Sequence, residues 1–278
     1  MRLASVTVDS IPYAARVEDD SYVLLPFDNV GALLAEPDWQ TMAAGDGKHV
    51  DADRPELVTL VPHPNKIICL GLNYASHIAE MGRPTPEYPT LFAKYDGALI
   101  GPSDDVVLPQ VSDKVDWEAE LGVIIGRRGR HVSPEHALDL VAGYTVVNDV
   151  TVRDWQHRTR EFLSGKTFEA TTPVGPHLVT PDELPPGAAG LEIRCEVDGQ
   201  VMQQSNTSDL LFTVADTIAY VSTIITLQPG DLIATGTPGG VGAGRDPQVF
   251  LQSDQTLVTS IQSIGELRNR CRLEESFE

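Results

Sequence analysis

The segment Asp116-Trp117-Glu118-Ala119-Glu120-Leu121-Gly122-Val123-Ile124-Ile125-Gly126 sets a carboxylate at every second position as the chain enters a strongly apolar run. An extended strand has a side-chain period of two, so Asp116, Glu118 and Glu120 face the same way. Like charges held that close repel, and beside an apolar strand they lose solvation, which raises their proton affinity unless a cation intervenes. A hard divalent ion resolves the conflict, and oxygen-only ligands select magnesium, manganese or calcium over zinc or copper. A solvated strand face is the competing reading of these residues taken alone. A second apolar run, Gly143-Tyr144-Thr145-Val146-Val147-Asn148-Asp149, ends in Asn-Asp. Such an ending is commonly a turn. Combined with Glu118 and Glu120, Asp149 completes a cup of three carboxylates.

Three further groups bear on chemistry. His77 and Glu80, in Gly71-Leu72-Asn73-Tyr74-Ala75-Ser76-His77-Ile78-Ala79-Glu80, are three apart and share one face of a helical turn. The carboxylate can then orient the imidazole as a general base acting on water, although an incidental surface pair has the same spacing. Arg153 and Lys166 follow Asp149 within twenty residues. They can offset the acidic cup and hold an anionic group, arginine by a two-point fork and lysine as a point charge, or they are solvated surface cations. Thr235-Gly236-Thr237-Pro238-Gly239-Gly240 leaves the end of an apolar run, but neither nucleotide-binding glycine signature is met. A loop whose backbone approaches a small ligand fits it better.

The elements that must position these residues form a β-rich chain. Runs at 3–8, 22–26, 66–70, 119–125, 143–148, 191–197, 200–204, 231–235, 247–252 and 257–262 carry strand patterns, and Asp198-Gly199 between two of them signals a tight hairpin. Asp28 precedes a short apolar stretch through Leu33 and Leu34 with the pattern of a capped helix. Ser133-Pro134-Glu135 opens a helix with Ala137, Leu138 and Val141 on one face, and Ser208 precedes a longer stripe from Leu211 to Ile225 that Pro229-Gly230 ends. Residues 1–60 are taken as a small N-terminal subdomain and 61–278 as the main domain, joined at Val61-Pro62-His63-Pro64.

At 278 residues the chain buries a core without disulfides or a structural metal. Forty acidic against twenty basic residues give a net charge of −20, which excludes nucleic acid as an expected partner and opposes the approach of an anionic substrate. No apolar run has the length of a membrane span and the N-terminus has no apolar leader core, so a cytoplasmic protein with no membrane partner is expected. Cys69, Cys195 and Cys271 lack metal-type spacing and fit reduced, buried thiols.

Taken together, these segments resemble the fumarylacetoacetate hydrolase family over roughly Lys66 to Asn269. The resemblance rests on Gly71-Leu72-Asn73-Tyr74 with His77 and Glu80, Asp116-Trp117-Glu118-Ala119-Glu120-Leu121, Gly143 through Asp149, Arg153-Asp154 with Gln156, Gly165-Lys166, Thr172-Pro173-Val174-Gly175-Pro176 and Thr235-Gly236-Thr237-Pro238. It points to the subgroup of acylpyruvases and 2-hydroxyhepta-2,4-diene-1,7-dioate isomerases. It implies an α+β fold built on a mixed β-roll of the family's C-terminal-domain type, a homodimer, and magnesium or manganese held by Glu118, Glu120 and Asp149. Calcium is a further candidate. It implies a small 2-oxo acid substrate, bound by Arg153, Gln156, Thr237, Tyr74 and Gly236, with His77, Glu80 and Lys166 catalytic. The activity implied is hydrolysis of a carbon–carbon bond in an acylpyruvate such as fumarylpyruvate or acetylpyruvate. The alternatives are oxaloacetate decarboxylation and isomerisation with decarboxylation of a heptadienedioate, through an enolate at the metal. A module that binds metal and oxo acid without turnover is the non-enzymatic reading. The stretch Asn73–Pro89 would form a lid whose rim residues Arg83, Thr85 and Tyr88 set specificity.

Overall fold

A computed structural model describes residues 1–19, 21–80 and 84–275, with the backbone alone for His77, Ala79 and Glu80. Among them is a twelve-stranded mixed sheet. Its main path runs from Lys48–Asp51 through Ser21–Leu25, Ile11–Glu18, Arg2–Val8, Thr172–Val179, Val141–Asn148, Ala119–Ile125, Leu232–Ala234 and Ile67–Gly71 to Thr90–Ala93. Neighbours on this path are antiparallel except Leu232–Ala234 with Ile67–Gly71, which run parallel. A second, five-stranded sheet joins Gln200–Asn206, Glu192–Val197, Thr256–Ile261, Gly265–Leu273 and Val106–Leu108 in that order.

Both faces of the central strand Ala119–Ile125 are covered, and all seven of its residues are buried. On one face Leu121, Val123, Tyr144 and Val146 pack against Ile193, Cys195, Leu257 and Leu267 of the second sheet and against Val214, Ile218 and Val221. On the other, Ile124, Val147, Leu178 and Leu232 pack against Leu33, Leu34, Trp39 and Leu60. The N-terminal sixty residues therefore share both a sheet and a core with the body of the chain. The three cysteines are free and buried.

Several elements differ from the sequence reading, each for a local reason. The long helix spans Val214–Ile224 and starts from a Thr213–Asp216 capping box, while Ser208 lies in the preceding 3₁₀ turn Thr207–Asp209. The apolar stripe runs past both ends of the helix, because Leu211 lies in a bend before it and Ile225 in extended chain after it. Asn29, not Asp28, caps the helix Val30–Leu34, its Oδ1 accepting from the Ala32 amide. After Ser133, the helix Pro134–Ala137 passes into a 3₁₀ turn Leu138–Leu140, and Val141 begins the next strand. Residues 247–252 form no strand: Val249 and Leu251 make single backbone bonds to Gly242 and Val115, and Pro247 has no amide to donate. Conversely, Thr172–Val179 is a central strand despite Pro173 and Pro176, and its pairing shifts register between Tyr144 and Val146, where the ladder is interrupted.

Candidate metal and oxo-acid site

The carboxylate cup follows from register. Val115–Asp116 pairs with Thr151–Val152, and Ala119–Ile125 pairs with Val141–Asn148, both antiparallel. Between these ladders the Asp149 amide donates to the Glu118 carbonyl at 2.9 Å, so Asp149 stands opposite Glu118, with Glu120 two residues along the same face. The Asn148 side chain closes the gap by accepting from the Glu118 amide at 2.9 Å. Ligand oxygens of Glu118, Glu120 and Asp149 lie within 4.8 Å of one another, and all three residues are buried. Asp116 is not part of the trio. Its carboxylate accepts from Arg153 Nε at 2.7 Å and from the amides of Gly242 and Ala243, which ties the 240–245 loop to the strand.

Glu118 and Asp149 are held through both oxygens and Glu120 through one. Glu118 Oε1 pairs with Arg153 Nη1 and Oε2 with Lys166 Nζ, both at 2.6 Å. Asp149 Oδ2 pairs with the same Lys166 Nζ at 2.6 Å, and Oδ1 with Lys94 Nζ at 2.5 Å. Glu120 Oε2 accepts from the Gly236 amide at 2.8 Å, while its buried Oε1 has no hydrogen-bond partner. Burial, then the charges of Asp149 and Glu118, push the Glu120 carboxyl well above the ordinary range against the opposing Lys166. Burial would also raise Asp149, but Lys166 and Lys94 outweigh it and hold that carboxyl below its usual value. The Lys166 ammonium resists its own desolvation because Asp149 and Glu118 face it, so its proton is held more tightly than in water.

These donors fit a hard divalent ion. They are all oxygens, they are buried together, and one of them lacks any partner from the protein. Four carboxylates, counting Asp116, face three cations, Lys94, Arg153 and Lys166. A dication brings the cluster to a net positive charge, suited to an anionic substrate.

A cleft of about 80 Å³ opens on the cup, floored by Glu118, Lys166, Gln156 and Thr237 and walled by Leu70, Gly71, Leu72, Phe92 and Phe162. Thus Lys166, Gln156 and Thr237 come together with Glu118, the one carboxylate of the cup that lines the cleft. Phe92 and Phe162 meet edge to face with ring centroids 5.7 Å apart, and Lys166 Nζ lies 4.9 Å from the Phe92 ring centre. A larger apolar groove of about 570 Å³ beside Thr90–Ala93 shares Phe92 with the cleft but contains no carboxylate of the cup.

Other expected substrate contacts are committed elsewhere, wholly or in part. Arg153 donates to Asp116, Glu118 and Gln156, and only its buried Nη2 has no partner. The Thr237 hydroxyl accepts from Gln203 Nε2 at 2.8 Å. The Gly236 amide is spent on Glu120, and the residue requires glycine: its φ is +97°, and an added Cβ would lie 2.9 Å from Asn73 Cβ. The Tyr74 hydroxyl is fully buried without a partner, and burial, with Glu120 nearby, raises its proton affinity. His77 and Glu80 fall on the helix Ala75–Glu80, but their side chains, like all of Arg83, lie outside the described residues. Asp209 anchors that helix by accepting from the Ser76 amide at 3.1 Å and from the Ser76 hydroxyl. Asn73 staples the turn before it, donating to Thr235 and Phe212 carbonyls and accepting from the Phe212 amide. Of these, Lys94, Gln203 and Asp209 gave no sequence signal, each being a single polar residue in an unremarked run.

Fold and site together define a class: a sheet-built protein whose buried carboxylates suit a divalent cation and whose buried lysine bridges two of them. Residues 66–272 match the family model described as fumarylacetoacetate (FAA) hydrolase C-terminal, and the chain belongs to that family. The mitochondrial oxaloacetate tautomerase FAHD2A of Homo sapiens is 43% identical over 221 residues, covering 78% of this chain and 70% of that protein. Among solved structures, the fumarylacetoacetate hydrolase of psychrophilic Exiguobacterium antarcticum superposes with a TM-score of 0.88 at 32% identity, over 99% of this chain and 100% of that one. The 2-hydroxyhepta-2,4-diene-1,7-dioate isomerase of Mycobacterium marinum does so with a TM-score of 0.82 at 29% identity, over the same shares. The family is one of enzymes, and its named reactions differ.

Proposed function

We propose that the chain is a divalent-metal-dependent hydrolase that cleaves a carbon–carbon bond in an acylpyruvate-type 2,4-dioxo acid, giving pyruvate and a carboxylic acid. The observation that carries this reading is the opening of Glu118, Lys166, Gln156 and Thr237 onto one cleft, with Gly71 and Leu72 leading directly into the helix that bears His77 and Glu80. Magnesium or manganese held by Glu118, Glu120 and Asp149 would supply Lewis-acid polarisation of the substrate's 2-oxo and carboxylate oxygens. Gln156, Thr237 and the unpartnered Nη2 of Arg153 orient the carboxylate, and Arg153 also holds Glu118. His77, oriented by Glu80, takes a proton from the water that attacks the distal carbonyl carbon. The bond from that carbon to C3 breaks, its electron pair passes to the pyruvate fragment as an enolate, and C3 is then protonated. The Lys166 ammonium stands where that negative charge develops.

The test is a proton NMR time course with magnesium, offering acetylpyruvate, fumarylpyruvate and oxaloacetate in parallel, each with a chelator control. Metal-dependent pyruvate plus acetate or fumarate supports hydrolysis, and turnover that survives complete metal removal refutes it. The names of the tautomerase and isomerase relatives favour a second reading, in which the same cup handles oxaloacetate or a dioate by proton transfer or decarboxylation. Loss of hydrolysis with oxaloacetate conversion unchanged in His77→Ala would separate the two.

A further inference from the structure

Lys94 reaches the cup from behind. It follows the strand Thr90–Ala93, is 4% exposed, and its Nζ lies 2.5 Å from Asp149 Oδ1 and 3.4 Å from the Val150 carbonyl oxygen. It does not line the cleft, and it borders the apolar groove. Lys166 takes the second oxygen, Oδ2, on the side shared with Glu118. The two oxygens of Asp149 are therefore directed to opposite sides of the carboxylate. Glu118 is divided in the same way between Arg153 and Lys166, and Glu120 has one oxygen on the Gly236 amide and one without a partner.

With Oδ1 engaged by Lys94, Asp149 can offer an ion only Oδ2, the oxygen it shares with Lys166. Calcium takes six to eight oxygens and accepts two from one carboxylate, whereas magnesium requires near-octahedral geometry with one oxygen from each ligand. We propose that Lys94 is a positioning residue that restricts Asp149 to a single ligating oxygen and so tunes the cup for magnesium or manganese against calcium. This rests on Glu118, Glu120 and Asp149 being the ion's ligands.

The experiment is calorimetric titration of the chelator-treated full chain with magnesium alone and calcium alone, for wild type, Lys94→Met and Lys94→Arg. In Lys94→Met the magnesium-to-calcium ratio of Kd values should rise by at least about tenfold, the scale of losing a group that orients a metal ligand. Lys94→Arg, which keeps a charged donor, should stay within about twofold of wild type. A lysine that only supports the fold would lower the melting temperature and leave the ratio unchanged, and that result overturns the proposal. Binding of neither ion by wild type overturns the cup itself, a different failure. Should Lys94→Met not fold, wild-type crystals soaked in calcium still decide: one Asp149 oxygen on the ion supports the proposal, and two refute it.

Discussion

Glu120 is fully buried, shares its site with two further carboxylates, and leaves one oxygen without a donor. That arrangement is unfavourable in the metal-free protein and favourable once a dication is present. Glu120→Gln should therefore lower metal affinity roughly hundredfold or more, and should raise the melting temperature of the metal-free chain by about 2–4 °C for each kcal/mol of repulsion removed. Calorimetric titration and thermal melts in chelator check both halves. His177 offers a separate residue-scale test. Both its ring nitrogens are sealed from solvent without partners, and burial, aided by Arg2, pushes its pKa down to about 4. In the unfolded chain the imidazole titrates near its ordinary value of about 6.5. Between these values the unfolded state binds the extra proton, so stability is full above about pH 6.5 and falls towards pH 4, by on the order of 3 kcal/mol. The wild-type stability measured by urea unfolding should fall over that window more steeply than that of His177→Leu. Parallel pH profiles would contradict the assignment.

At the scale of elements, the helix Ala75–Glu80 and the cup are held by different devices. The helix hangs on Asp209 and the buried Ile78, whereas the cup is set by the register of two antiparallel strands. Asp209→Ala should remove about 1 kcal/mol of local anchoring. Turnover should then fall while magnesium affinity stays at the wild-type value, a split that assay and calorimetry read together. The same contrast explains what was legible in the sequence. Ala119–Ile125 is a strand at the expected boundaries, and Asp198-Gly199 turns with both φ angles positive, because apolar runs and tight-turn chemistry are local properties. The trio Glu118, Glu120 and Asp149 was legible for the same reason: two of its members follow a period of two, and the third ends the neighbouring strand. The central strand Thr172–Val179 was hidden by its prolines, which a register shift accommodates. Lys94 was hidden because nothing near it in sequence is polar in a pattern, and only the pairing of Thr90–Ala93 with Ile67–Gly71 carries it to Asp149.

For the whole molecule, a formal charge of −20 surrounds a site that, on the proposed function, admits an anion. Among the described residues no helix is long and apolar enough to cross a membrane. Long-range repulsion slows encounter until salt screens it, and the Debye length shortens to about 8 Å at physiological ionic strength. With a saturating metal concentration, kcat/KM for an acylpyruvate should rise as an inert salt is raised from about 10 mM towards 150 mM. A fall would mean that local cations, not the global field, govern approach. The central claim, that one dication sits among Glu118, Glu120 and Asp149, is tested most directly by anomalous scattering from crystals grown with manganese. The account predicts one strong peak with an oxygen of each of the three carboxylates at coordination distance and the Lys94 contact to Asp149 retained. A peak elsewhere, or none while Lys166 still bridges Glu118 and Asp149, would contradict it.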